Sequence, residues 1–128
     1  IKKIFVRLSE GYLKSKRKKG LWRNLYPVGK DNRVDTSGSA LIAYGMLKGY
    51  RLGILGKEYS DLANNVYNSI NDHLKKTSDG MRLTKVIGPT VPGPRLFYKV
   101  IPYQKNSFYG HGAYFMLSSQ LFKQYALQ

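Results

Sequence analysis

The sequence predicts a mainly α-helical protein, with about four helices packed as helical hairpins and a small β-hairpin or ordered loop near residues 81–106. Three observations predict this. Apolar residues recur at helical spacing over residues 1–17 and again over 58–77. A polar turn, Asp35-Thr36-Ser37-Gly38-Ser39, feeds directly into a run of small and apolar residues. Between the last two helical patterns lies Gly88-Pro89-Thr90-Val91-Pro92-Gly93-Pro94, a stretch that cannot be helix.

The first helix is expected over 1–17, with Ile1, Ile4, Phe5, Leu8 and Tyr12 on one face. Gly20 follows a basic turn and suits a helix C-cap. Residues 21–36 form a long connection broken by Pro27 and Gly29, and they carry the only tryptophan, Trp22, beside Arg23. The second helix covers 37–53, with Asp35 or Ser37 as N-cap. Its apolar residues spread around most of the circumference, so it must be buried on most sides. Gly45, Gly49 and Gly53 recur every fourth residue and offer a stripe for close packing.

The clearest amphipathic helix is expected over 58–77. Tyr59, Leu62, Val66, Ile70 and Leu74 lie on its dry face, and Asn64, Asn65, Asn68, Asn71 and Asp72 on its wet face. A short link through Gly56 sets it antiparallel to the helix before it. Asp79-Gly80 marks a turn, and residues 81–86 and 96–101 read as two short strands. A last helix covers 108–126, opened by Gly110-His111-Gly112.

Twenty-two basic and seven acidic residues give a net charge of +15, which favours a polyanionic partner. Lys14, Lys16, Arg17, Lys18 and Lys19 concentrate part of it at the end of the first helix. No cysteine is present, which excludes disulfides and thiolate chemistry and agrees with a cytoplasmic location. No stretch reaches the roughly 20 apolar residues of a membrane span, and the lysine-rich start is not patterned as a signal peptide. No membrane partner is expected.

Most catalytic signatures are missing. There is no phosphate-binding loop, no Gly-x-Ser-x-Gly elbow and no metal-ligand spacing, so neither a metal nor a cofactor is expected. His73 and His111 are far apart, and the hydroxyls of Thr36, Ser37 and Ser39 have no neighbouring histidine to activate them. Of the carboxylates, only Asp35 stands at the mouth of a buried helix, either as its cap or as a group facing a cleft; Asp31 lies four residues away in the connection. Basic and aromatic residues interleave at Trp22/Arg23/Tyr26, at Tyr44/Tyr50/Arg51 and from Tyr98 to Tyr109, a mixture suited to sugars or to single-stranded nucleic acid. The alternative on this footing is a small basic helical module binding nucleic acid or another polyanion, but no nucleic-acid-binding motif accompanies the charge.

Four segments in order carry a resemblance: Gly20-Leu21-Trp22; Asp35-Thr36-Ser37-Gly38-Ser39-Ala40; Lys48-Gly49-Tyr50-Arg51-Leu52-Gly53-Ile54-Leu55 with Tyr59; and Gly110-His111-Gly112-Ala113-Tyr114-Phe115-Met116-Leu117. Together they resemble the C-terminal part of the unsaturated glucuronyl and rhamnogalacturonyl hydrolases, glycoside hydrolase families 88 and 105. The resemblance implies residues 1–128 as a single domain forming part of an (α/α)6 toroid whose inner helices carry the site at one end. It implies hydration of the ring double bond of a terminal unsaturated uronic acid, with an aspartate as acid and base, on acidic oligosaccharides from pectin-like polysaccharides. That catalytic aspartate belongs to a part of the family with no counterpart here, so the catalytic residue is unknown and the chain alone is expected to be inactive. The positions that match border the cleft: Asp35, Ser37 and Ser39 at one inner-helix mouth and His111, between Gly110 and Gly112, at the next. With Trp22 and Arg23 they form the expected substrate-binding set. A homo-oligomer, or a further chain supplying the rest of the toroid, is the expected assembly.

Overall fold

The computed structural model describes residues 1–16, 20–24, 33–105 and 107–126. They form a mainly helical fold of five helices with two small antiparallel strand pairs. In chain order these are α1 (Lys2–Ser15), α2 (Thr36–Arg51), α3 (Lys57–Asn71), β1 (Leu74–Thr77), β2 (Gly80–Leu83), β3 (Val86–Ile87), α4 (Arg95–Val100), β4 (Tyr103–Gln104) and α5 (Phe108–Ala126).

Helix α2 is the centre of the packing and lies mainly against α5 and α3. Eight of its 16 residues are buried, among them Ala40, Ala43, Met46 and Leu47. Three side-chain contacts define the directions. Arg51, at the end of α2, donates to Gln120 Oε1 on α5 at 2.5 Å. Gln124, near the end of α5, donates to Ser60 Oγ near the start of α3 at 3.2 Å. Tyr114 donates to Asn71 Oδ1, at the end of α3, at 2.8 Å. Helix α3 therefore runs antiparallel to both α2 and α5, as the short link through Gly56 predicts.

The first helix turns a different face inward from the expected one. Phe5, Val6, Tyr12 and Leu13 pack on the core and Ser9 is buried, its hydroxyl returned to Phe5 O at 2.9 Å. Ile1, Ile4 and Leu8 point outward. The helix stops at Ser15, with Lys16 extended, so Gly20 is not its C-cap. Gly20 instead makes a left-handed turn (φ +81°) where the chain passes within reach of Val66. Arg17, Lys18 and Lys19 of the basic run lie outside the described residues, as does the connection from 25 to 32 with Asp31.

The glycine stripe of α2 reduces to one close approach. A Cβ at Gly49 would stand 2.8 Å from both Leu55 Cδ1 and Phe5 Cε1. Gly45 has nothing nearby, and Gly53 lies past the helix end in a left-handed turn.

Helix α3 is shorter than its apolar period predicts. Leu74 continues the helical stripe, but residues 74–77 pair with 80–83 as a hairpin in which Thr77 faces Gly80. Ser78-Asp79 forms the two-residue turn, and Thr77 Oγ1 donates to Asp79 Oδ1 at 2.6 Å. The strand expected over 81–86 is split by Lys85, which takes a left-handed φ of +57° and redirects the chain into β3. The strand expected over 96–101 is a helix. Pro94 presets the entry at φ −61°, and no partner strand lies alongside, so the backbone bonds internally. The β-forming composition of Leu96-Phe97-Tyr98 yields to the absence of a partner. A strand partner does exist for Val86–Ile87, in Tyr103–Gln104.

Gly110 lies where α5 crosses β3, and a Cβ there would come 2.6 Å from Val86 Cγ2. Val86 is fully buried and stiff at χ1, so it cannot yield easily. Gly110→Ala should destabilise the fold by about 1–3 kcal/mol. Gly112→Ala, with open space around it, should be neutral or stabilising by up to about 1 kcal/mol; paired thermal melts test both.

Burial, with a smaller contribution from the Tyr67 hydrogen bond, pushes the Tyr114 hydroxyl from 10.0 up to about 12. The folded value lies above the unfolded one, so the stabilisation is complete below about pH 10 and is lost as pH rises through about 12. Denaturant melts between these pH values should show a loss of stability that Tyr114→Phe reduces.

Candidate functional site

The candidate site lies at the start of α2, where three segments meet. Asp35 is the N-cap. Its Oδ1 accepts the Ser37 amide at 3.1 Å and the Ser37 hydroxyl at 2.7 Å, and its Oδ2 accepts the Gly38 amide at 3.2 Å. A further bond comes from outside the helix, the Ile87 amide of β3 at 3.3 Å. Of the two roles the sequence allows Asp35, the structure assigns the cap. All four donors belong to the frame, so the carboxylate is held in one orientation.

Ser39 is fully buried and joins two segments. Its hydroxyl donates to Asp35 O at 2.6 Å and accepts the Trp22 amide at 2.9 Å. Trp22 is buried as well, with its indole N–H donated to Tyr12 O at 3.0 Å and its ring edge-on to Tyr12. Asp35 N donates to Trp22 O at 3.1 Å, and Arg23 forms a single antiparallel bridge with Val34. The 21–24 and 33–35 segments therefore close the base of the long connection. Arg23 is half-buried in that bridge.

His111 sits one turn into α5. Its Nδ1 lies 2.8 Å from Ser107 O, and its Nε2 accepts the Leu83 amide at 3.2 Å. With Nε2 accepting, Nδ1 is the ring nitrogen that faces Ser107 O as donor. It clamps β2 to the start of α5. From there, Thr36 reaches the β2–β3 link, its amide bonding Lys85 O at 3.1 Å and its hydroxyl Thr84 O at 2.8 Å.

The structure thus brings Trp22, Arg23, Asp35, Ser37, Ser39 and His111 to one end of the helices. It spends the polar atoms of Trp22, Asp35, Ser39 and His111 on holding that end together. The side chains left around the mouth are ones that motif reading did not single out as site residues. Arg33 donates to Ile101 O at 3.1 Å and lies 5.1 Å above the Tyr103 ring. Tyr109 donates to Ile87 O at 2.9 Å, and Lys85 is exposed beside Thr36. Burial pushes the Tyr103 hydroxyl above its ordinary value, with Arg33 opposing. Interleaved basic and aromatic residues between 98 and 109 were the available sequence signal; which of them meet Arg33 depends on the β3–β4 pairing. Among the described residues no cluster of histidine and carboxylate groups could hold a metal ion, and no helix is long and apolar enough to cross a membrane.

The mouth's hydrogen bonds make distinct predictions. Ser39→Ala leaves the Trp22 amide buried without a partner and should cost about 1–3 kcal/mol. Asp35→Ala removes the cap and the β3 tie and should cost about 1–2 kcal/mol. Chemical denaturation measures both losses.

Similarity to known proteins extends over nearly the whole chain. Residues 1–125 match the model of Glycosyl Hydrolase Family 88. The fold is similar to that of a family 105 glycoside hydrolase from C. acetobutylicum, with a TM-score of 0.81 and 26% identity over 93% of this chain and 36% of that one. It is also similar to two possible family 105 members. One, from Salmonella enterica serovar Paratyphi A, has a TM-score of 0.80 and 24% identity over 91% of this chain and 30% of that one. The other, from Klebsiella pneumoniae, has a TM-score of 0.83 and 23% identity over 97% of this chain and 32% of that one. This chain therefore spans about a third of the length of each of these structures. A helical frame that matches them, joined to a family match running from the first residue to within three of the last, leads to one conclusion: the chain belongs to glycosyl hydrolase family 88.

Proposed function

We propose that this chain is the C-terminal portion, as one domain, of an unsaturated uronyl hydrolase of the glucuronyl or rhamnogalacturonyl type, acting on acidic oligosaccharides from pectin-like polysaccharides in the cytoplasm. The family match over residues 1–125 carries this reading. In it, the start of α2 and α5 forms one wall of the cleft. Water adds across the ring double bond of the terminal uronic acid: one carbon takes a proton, the other a hydroxyl, and the sugar is then released. By the family resemblance, the aspartate that manages that proton belongs to a segment with no counterpart in this chain; Asp35 serves the frame through four hydrogen bonds. What the chain supplies is positive charge and aromatic surface. Arg33 and Lys85 face a carboxylated substrate, Tyr103 and Tyr109 lie beside them, and Trp22, Arg23, Ser37, Ser39 and His111 hold the wall in shape.

Two apolar surfaces support an assembly with further helices. One is a groove of about 220 Å³ between α1 and α2, lined by Phe5, Leu8, Leu41 and Ile42 among others. The second is the outer face of α5, where Phe108, Phe115 and Phe122 are 85%, 67% and 74% exposed. Surfaces of this kind on a helical protein mark interfaces. In this reading the remaining helices of an (α/α)6 toroid cover them, whether from another chain or a second copy of this one.

The test uses the purified chain and an unsaturated digalacturonide. No turnover is expected, while the backbone signals of Lys85, Tyr103 and Tyr109 should shift on titration and shift less as salt rises. Arg33→Ala should weaken that binding by about tenfold, the cost of a lost charge-assisted contact of about 1.4 kcal/mol. Turnover by the chain alone would overturn the assignment of the acid to another segment. Failure of the acidic sugar to perturb this end would overturn the cleft wall.

A further inference from the structure

At the far end of the helices, roughly 24 Å along the axis of the 16-residue α2 from Asp35, lies a second concavity of a different character. It is a groove of about 520 Å³ between α3 from Lys57 to Asn68, Tyr50 near the end of α2, and Gln124 and Tyr125 at the end of α5. Its α3 wall is the amide-rich face that helical spacing marks as wet. None of the features at the α2 mouth reaches it.

The groove has a fixed floor and a free rim. In the floor, Asn64 donates to Ser60 O at 2.9 Å and accepts the Tyr125 hydroxyl at 2.9 Å, while Gln124 donates to Ser60 Oγ at 3.2 Å. These bonds tie α3 to α5 and hold the Tyr125 ring against the groove. On the rim, Asn65 and Asn68 are exposed and bond to none of the described residues. Three residues apart, they are neighbours on the helix surface. Each presents two donors and one acceptor.

Charge narrows the class of ligand. Among the described residues that line the groove, the charged ones are Lys57 and Asp61, and they are paired at 2.8 Å. In a chain of net charge +15 the described lining is locally neutral. Its polar lining does not suit an apolar ligand. Carboxamides that both donate and accept match vicinal hydroxyls, and the flat rings of Tyr50 and Tyr125 match the C–H face of a pyranose.

We propose that this groove is a binding site for neutral sugar residues, separate from the mouth at the start of α2. It does not rest on the proposed activity, since its chemistry differs from what an acidic substrate requires. The test is a titration of the isotope-labelled chain with neutral tetrasaccharides of galactose, glucose and arabinose at millimolar concentration, with an acidic oligogalacturonide as comparison. The side-chain amide signals of Asn65 and Asn68 should shift with at least one neutral sugar. Asn68→Ala and Tyr125→Ala should each weaken that binding by about tenfold, with circular dichroism unchanged. Asn65 and Asn68 are solvent-facing, so Asn68→Ala keeps the fold even if Tyr125→Ala loosens α5. No shift with any neutral sugar, shifts undiminished in Asn68→Ala, or shifts with the acidic sugar alone would each overturn the site. Because the readout is at α3, a failure here leaves the behaviour of Lys85, Tyr103 and Tyr109 independently legible.

Discussion

The Asp35 carboxylate is the point on which the rest of the mouth depends. One side chain caps α2 and at the same time takes the Ile87 amide of β3, so the central helix and the irregular 81–106 region share one anion. Around it, Ser39 binds the Trp22 segment and Thr36 binds the β2–β3 link. Each bond contributes only about 1 kcal/mol. Their importance is geometric, because they converge where α2 leaves the core. The core residues Met46, Leu47 and Leu117 contribute more in total, roughly 2 kcal/mol per fully buried side chain. That burial is non-directional and could not by itself place the loops.

This division explains why the candidate residues are structural in their contacts. A wall that borders a cleft must keep its shape without help from substrate, and buried amides near a helix start must be satisfied. Trp22, Ser39, Asp35 and His111 meet that demand. Arg33 and Lys85, the positive groups of the proposed recognition, stand at the same end on loops. Lys85 adopts a left-handed backbone that most side chains avoid, and it does so at the link that receives Thr36.

The two ends of the helices carry opposite chemistry. Near the start of α2, the positive charge of Arg33 and Lys85 stands at the same end as Tyr103 and Tyr109. Near its end, the one ion pair among the described residues, Lys57–Asp61, neutralises a bed of amides. Between them runs the core, with phenylalanines of α5 left outside it. The chain is about a third as long as the family 105 structures it matches.

Four of the five helices, their order and the antiparallel sense of α3 to α2 were legible from residues alone, because a 3.6-residue apolar period and a short Gly56 link act locally. The Asp35 cap was legible too, as one of two readings, and so was the family, from four short segments in order. Other features depended on tertiary structure. Leu74 obeys the helical period but joins a strand, since the Ser78-Asp79 turn brings Gly80–Leu83 alongside. Residues 96–101 have strand composition but coil as α4, while the segment expected beside them, 81–86, pairs through Gly80–Leu83 with β1 and through Val86–Ile87 with Tyr103–Gln104. The inward face of α1 was misread for a similar reason: with apolar residues on two flanks, only the position of α2 and Trp22 decides which flank is buried. Periodicity states how a segment can bury itself; which neighbour is there to bury it against is a long-range fact, and that alone decided the strands, the face of α1 and the residues that line the mouth.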